Sequence, residues 1–397
     1  MTGRLKKFLA LTLALAAFGA TDRATAENLT VADVQQIIAA AATEANARSL
    51  DATIAVVDRV GNVLCVFDMP NGAVLRGITI TTQRGIAAGN GLEQVQQIFA
   101  NASVPNTPST RLSAIAKAIT GAYLSSAGNA FTTRTASQIV QEHFNPGERF
   151  APSGPLFGVQ FSQLPCSDMS VRFNASSGVP TGEISTTVGP KRSPLGLSAD
   201  PGGLPLYKNG VMVGGLGIES DQIYTIDPNI GDFDNPVDEL IALAGQSSFT
   251  APRSIQADRI FVEGKSLRYT DAQIASLVSD PSTATFAAVN GVVGSLVTVP
   301  GYTAGAIIAG QTYGDIASGF AADNTSVYDF VGQTVFILYD NGGSPRFPPT
   351  ASTEPTVGSG GMTSDEVTTI IGNALKIAFA ARAQIRRPLG TSNAQVT

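Results

Sequence analysis

Residues 202–218 read GGLPLYKNGVMVGGLGI. Two apolar runs flank Lys208-Asn209-Gly210. Asn-Gly marks a two-residue turn, because a type I′ turn needs positive φ at both central positions. The stretch therefore predicts a β-hairpin. Gly214, Gly215 and Gly217 in its second strand mark places where another backbone can come close. A second hairpin lies upstream, where residues 52–58 (ATIAVVD) and 63–68 (VLCVFD) flank the turn Arg59-Val60-Gly61-Asn62. Residues 52–57 are almost wholly apolar, which suits a strand in the middle of a sheet.

Helical signals surround the hairpins. Thr30 followed by Asp33 is a variant capping box, with Leu29 and Val34 at the staple positions. Val34, Ile37, Ile38, Ala41, Ala42 and Ala45 then recur at helical spacing. Further helices are expected over 77–88, 92–100, 109–126, 136–143, 237–244 (Asn235 as N-cap, Pro236 at N1) and 271–278. Short strands are expected at 259–262 and 334–339. Residues 145–203, rich in Gly, Pro and Ser, read as a long ordered loop region. Residues 342–361, with Pro345, Pro348, Pro349 and Pro355, read as a linker.

The end of the chain then repeats its beginning. Met362-Thr363-Ser364-Asp365-Glu366-Val367 parallels Leu29-Thr30-Val31-Ala32-Asp33-Val34, and Ile370-Ile371 parallels Ile37-Ile38. Residues 362–397 are therefore read as the start of a second repeat.

Composition bounds the class. The 397 residues are 43% hydrophobic and 14% charged, with 41 Gly and 22 Pro. This suits an ordered, loop-rich α/β or α+β protein of two or three domains. The net charge of −6 argues against a nucleic-acid partner, which needs basic patches. Residues 1–26 have the form of a signal peptide: Arg4, Lys6 and Lys7, an apolar run over 8–20, then Ala24-Thr25-Ala26. The expected mature chain begins at Glu27, in a periplasm or outside the cell. The apolar run falls short of the ~20 residues a bilayer needs, so no membrane span is expected after cleavage. Residues 282–314 carry no charge, yet Asn290, Pro300 and several Gly and Thr interrupt them, so they are not read as a span either. Cys65 and Cys166 are either paired or two buried thiols; neither lies in C-x-x-C.

Taken together, LTVADVQQIIAAA, IAVVDRVGNVLCVFDMP, AKAITGAYLSS (residues 116–126), GGLPLYKNGVMVGGLGI and DELIALAG (residues 238–245) resemble the GlcG/HbpS family, which includes the C-terminal module of PduO. The resemblance implies a profilin-like fold, an antiparallel sheet of about five strands flanked by helices. It covers residues 27–250, with an insertion at about 90–202 and an extension over 251–341. It also implies haem or a related tetrapyrrole as a non-covalent ligand, and self-association or a partner subunit. On that implication His143, the single histidine, is a candidate axial ligand, with Met69, Met169 or Tyr207 as the other. Lys117 or Arg84 would pair with a propionate. The plainer readings are a helix-capping His143 and a solvated Lys117. Asp227, Asp232, Asp234, Asp238 and Glu239 form an acidic cluster without EF-hand spacing, read as structural in preference to calcium-binding. G-x-S-x-G, H-E-x-x-H and P-loop motifs are absent, and Gly214-Gly215-Leu216-Gly217 precedes no helix as a dinucleotide fingerprint would. The expected function is an exported binding protein; the alternative is a non-catalytic structural or assembly subunit of a periplasmic or extracellular complex.

Overall fold

A computed structural model describes residues 27–70, 76–80, 109–140, 193–227, 231–262, 264–324, 334–353 and 361–380. The first helix, α1 (Val31–Ala47), starts where the capping box places it. Thr30 Oγ1 accepts from Asp33 N, and Asp33 Oδ2 accepts from Thr30 N at 2.8 Å. Strands β1 (Thr53–Asp58) and β2 (Val63–Asp68) form the first hairpin. Its turn is held by Asp58, whose Oδ1 accepts from Val60 N and Asn62 N. Helices α2 (Thr110–Tyr123) and α3 (Thr133–Ile139) follow. The second hairpin is β3 (Gly203–Lys208) and β4 (Val211–Glu219). Asn209 and Gly210 in its turn have φ of 50° and 78°, as the Asn-Gly signal requires. Helix α4 (Val237–Gln246), edge strand β5 (Ser295–Leu296) and helix α5 (Ser364–Ala380) complete the main elements.

The sheet order is β3-β4-β1-β2-β5, and every neighbouring pair is antiparallel. Side chains alternate between two cores. Ile54, Val56, Leu204, Leu206, Leu216 and Ile218 face α1 and α4. Ala55, Val57, Val66, Tyr207 and Met212 face α2. Helices on both faces explain why β1 is buried along its whole length. On the α2 face, Gly215 and Gly217 stand where a side chain would be. A Cβ on Gly217 would run into the carbonyl oxygen of Ala114, and one on Gly215 into that of Ala118. The glycines let α2 lie directly on the strand backbone. Five antiparallel strands flanked by helices are the architecture the resemblance implied.

Several expectations are corrected. Residues 79–80 form a two-residue strand paired in parallel with Ile223–Tyr224, so the helix expected from 77 does not start there. The rest of that expected helix and the one at 92–100 lie outside the described residues. Helix α3 begins before residue 136, because Thr132 and Thr135 make their own capping box. Pro236, not Asn235, is the N-cap of α4; its ψ of 133° is still extended, so the helix starts one residue later. Residues 271–278 form only a single 3-10 turn, Ile274–Ser276. The amide N–H groups of Asp271 and Ala272 go to Glu239 Oε2, and those of Val278 and Ser279 to Glu44. The Val278 and Ser279 amides are therefore unavailable to a helical ladder; those of Asp271 and Ala272 would have no intrahelical acceptor in any case. A 3-10 turn at Ala257–Arg259 takes the start of the strand expected from 259, leaving Phe261–Val262. Cys65 is a buried free thiol, and Cys166 lies outside the described residues. The uncharged stretch supplies β5 to the sheet. No helix among the described residues is long and apolar enough to cross a membrane.

Candidate functional site

Two cations are sealed between the sheet and its helices. Lys117 comes from the middle of α2, whose Ile115, Ala116, Ala118 and Ile119 are all buried. A lysine on so apolar a helix must find carboxylates or leave its charge unpaired in the interior. Its Nζ lies 2.6 Å from Asp200 Oδ2, 2.8 Å from Asp238 Oδ2 and 3.1 Å from Glu219 Oε2. Glu219 ends β4, Asp238 opens α4 and Asp200 precedes β3. Ser113, one turn before Lys117, donates to Glu219 Oε2, and Ser220 N donates to Asp238 Oδ1 at 2.8 Å. Glu219 Oε1 has no hydrogen-bond partner.

Arg134 on α3 is the second. Its Nη1 lies 2.7 Å from Asp227 Oδ2 and 3.4 Å from Asp271 Oδ2, and its Nε donates to Glu239 Oε1 at 3.0 Å. Asp238 and Glu239 are neighbours in the first turn of α4, where the helix dipole favours negative charge. One turns to Lys117 and the other to Arg134. The start of α4 thus ties α2, α3 and β4 together.

One ammonium faces three carboxylates in the first cage. Burial raises all three above their ordinary values, and Lys117 offsets this only in part. Asp238 is pushed up to about 8, while its two oxygens accept from Lys117 Nζ and Ser220 N. Burial alone would lower the Lys117 ammonium, but Asp200, Asp238 and Glu219 outweigh it and hold it well above its usual value. Oxygens of Asp200, Glu219 and Asp238 lie within 4.8 Å of one another, the spacing of a metal site, but the ammonium contacts all three. In the second such group, Asp227, Asp232 and Asp234, Arg134 Nη1 lies 2.7 Å from Asp227 and 3.9 Å from Asp234, and Asp232 and Asp234 are exposed. The acidic cluster seen in the sequence is thus divided between two internal ion-pair networks and solvent.

The sequence-named ligands are not brought together. Met69 is buried in the α1–α4 core, and Tyr207 is buried on the α2 side of the sheet. Tyr207 Oη donates to the carbonyls of Ser126 and Asn129 at 2.6 and 3.0 Å, and burial pushes the phenol up. Lys117 is neither solvated nor open to a propionate. His143, Arg84 and Met169 lie outside the described residues. Met69 and Tyr207 lie in the cores on opposite faces of the sheet and, like Lys117, are buried, so these three do not converge on one ligand. The sequence missed Arg134, Asp200, Glu219 and Asp271 as the partners that consume the charges.

No family model and no curated protein matches the chain. Two similar solved structures are ORFY of Klebsiella pneumoniae, described as of family DUF336, and a PduOC:heme complex. Each is 17% identical to this chain. The first covers 59% of this chain and 100% of its own, with a TM-score of 0.29. The second covers 57% and 98%, with a TM-score of 0.28. What the chain does is argued below from its own residues.

Proposed function

We propose that the chain is an exported, non-catalytic binding protein built on a GlcG/HbpS-like domain, with haem or a related tetrapyrrole as its ligand. One observation carries the domain reading. The helix–hairpin–helix–hairpin–helix order that prompted the resemblance folds as a single three-layer unit, α2 over the sheet over α1 and α4. The ionisable groups inside that unit are committed to each other, so it is a scaffold and not a reaction centre. The ligand contacts then fall outside this unit, with His143 in the insertion as the axial ligand and Arg84, just before the insertion, as the propionate partner. Export follows from the form of residues 1–26.

Haemin titration of the chain from Glu27, followed by absorbance, tests this. A saturable Soret shift that His143→Ala removes is the expected result. A shift retained in His143→Ala moves the axial ligand to another residue. No saturable shift in either protein removes the tetrapyrrole reading. The second reading, an assembly subunit, is favoured by exposed apolar side chains, Phe261 at 73% and Ile377 at 71% exposure among them.

A further inference from the structure

Helices α1 and α5 are both 17 residues long and align without a gap. Thr363 falls on Thr30, Glu366 on Asp33, Val367 on Val34, Ile370 and Ile371 on Ile37 and Ile38, and Ala378 on Ala45. Both helices open with the same reciprocal cap: Thr363 N donates to Glu366 Oε2 at 2.8 Å, as Thr30 N does to Asp33 Oδ2. Their surroundings differ. Val34, Ile37, Ile38 and Ala45 are wholly buried, whereas Ile370 is 55% exposed and its staple residue Met362 52%; Val367, Ile371 and Ala378 are half-buried and Leu375 is buried.

Three of the positions at which α5 departs from α1 share one feature. Gln36 donates to Pro281 O, Glu44 accepts from Val278 N and Ser279 N, and Arg48 donates to Ser276 O. All three bind the segment 276–281 that straps α1 from outside. In the α5 register these positions are Thr369, Ile377 and Ala381, none of which repeats the polar group. The residues that face sheet and α4 keep their apolar character; those that face the strap do not. One charge contact also carries over. Asp33 meets Lys208 Nζ, from the turn of the second hairpin, at 2.9 Å. Glu366 holds the corresponding position on α5.

We propose that α5 docks on a second antiparallel sheet of the same design, in the place α1 takes on β1–β4 and without the outer strap. The partner is recognised by its chemistry: an apolar sheet face beside an α4-like helix, with a lysine at the hairpin turn that receives Glu366. This goes beyond the ligand-binding reading and stands without it.

The full chain is the donor in the test. The acceptor is the same chain lacking residues 27–48, with Ile370→Asp and Ile371→Asp disabling its own α5. Expected is a 1:1 complex by sedimentation, weakened about tenfold by Glu366→Lys in the donor and restored by Lys208→Glu in the acceptor. An acceptor that keeps its strands by circular dichroism yet forms no complex overturns the proposal. If the acceptor does not fold alone, it is refolded with the full chain. Recovery of a soluble 1:1 complex supports the proposal, and aggregation beside a monomeric full chain overturns it. Self-association of the full chain that Ile370→Asp abolishes also overturns it, since the face would then be filled by another α5. In the full chain alone, Ile370→Asp is expected to leave Tm within about 1 °C; a fall of more than about 5 °C would place α5 in its own core and end the proposal.

Discussion

Lys117→Met is the sharpest perturbation of the buried frame. Methionine keeps much of the length and volume of the side chain, so the change is mostly electrostatic. It leaves Asp200, Glu219 and Asp238 facing one another without the ammonium that lies 2.6–3.1 Å from each. Such a site folds only with its carboxyls neutral. Protonating a carboxyl at pH 7, starting from an ordinary value near 4, costs about 4 kcal/mol at roughly 1.4 kcal/mol per unit. Burial raises all three carboxyls in the parent, and the ammonium offsets this only in part. Without the ammonium the site must take up at least one proton more than the parent does, so a loss of about 4 kcal/mol is expected. This agrees with the ~3–5 kcal/mol for removing one partner of a buried ion pair. Guanidinium unfolding at neutral pH and near pH 5 is the assay. The loss should shrink toward pH 5, where protons are cheaper by about 1.4 kcal/mol per unit each. The parent has the same sign. Because Asp238 is raised on folding, its contribution is complete below the ordinary carboxyl value near 4 and is lost as pH rises toward about 8. A variant within about 1 kcal/mol of the parent at both pH values would refute the cage as a structural requirement.

Gly217→Ala should prevent stable folding, because its Cβ would collide with the backbone of α2 at Ala114 and Ala118, neither of which has a flexible group to move; loss of the cooperative urea transition checks this. Gly210→Ala is the control. Its φ of +78° costs about 1 kcal/mol, but the nearest atom to the new Cβ is 4.0 Å away, so the fold should survive with a slightly lower midpoint. Glu44→Ala should cost about 2–3 kcal/mol, since it leaves the Val278 and Ser279 amides without their acceptor. Burial would raise Glu44, but hydrogen bonds from Ser279, Val278 and Arg48 outweigh it and lower its value. Its contribution is therefore present above the ordinary glutamate value of 4.5 and fades as pH falls below it. The cost of Glu44→Ala, measured by urea unfolding, should accordingly be smaller in acid.

The two hairpins and helices α1, α2 and α5 were legible because each signal is local. Asn209-Gly210 demands positive φ, the capping boxes mark their own helix starts, and β1 is apolar on both faces. The ion cages were not legible. Lys117 has partners at 200, 219 and 238, and Arg134 at 227, 239 and 271, separations that only the tertiary fold closes. A signal was nonetheless present: Lys117 interrupts the apolar run Ala114-Ile115-Ala116 and Ala118-Ile119, and a cation there has to be paired internally. Residues 271–278 misled for the opposite reason. Their helical period is real, but the remote carboxylate of Glu44 takes the amides of Val278 and Ser279 first. Strand β5 is two residues long, too short for any periodicity to announce it.

The most direct test of the binding claim is native mass spectrometry of the chain from Glu27 mixed with haemin, beside His143→Ala. The account predicts one haem per chain in the parent and a loss of that adduct in the variant. A parent that remains ligand-free at haemin concentrations saturating a known haem protein would contradict it and leave an assembly role in its place.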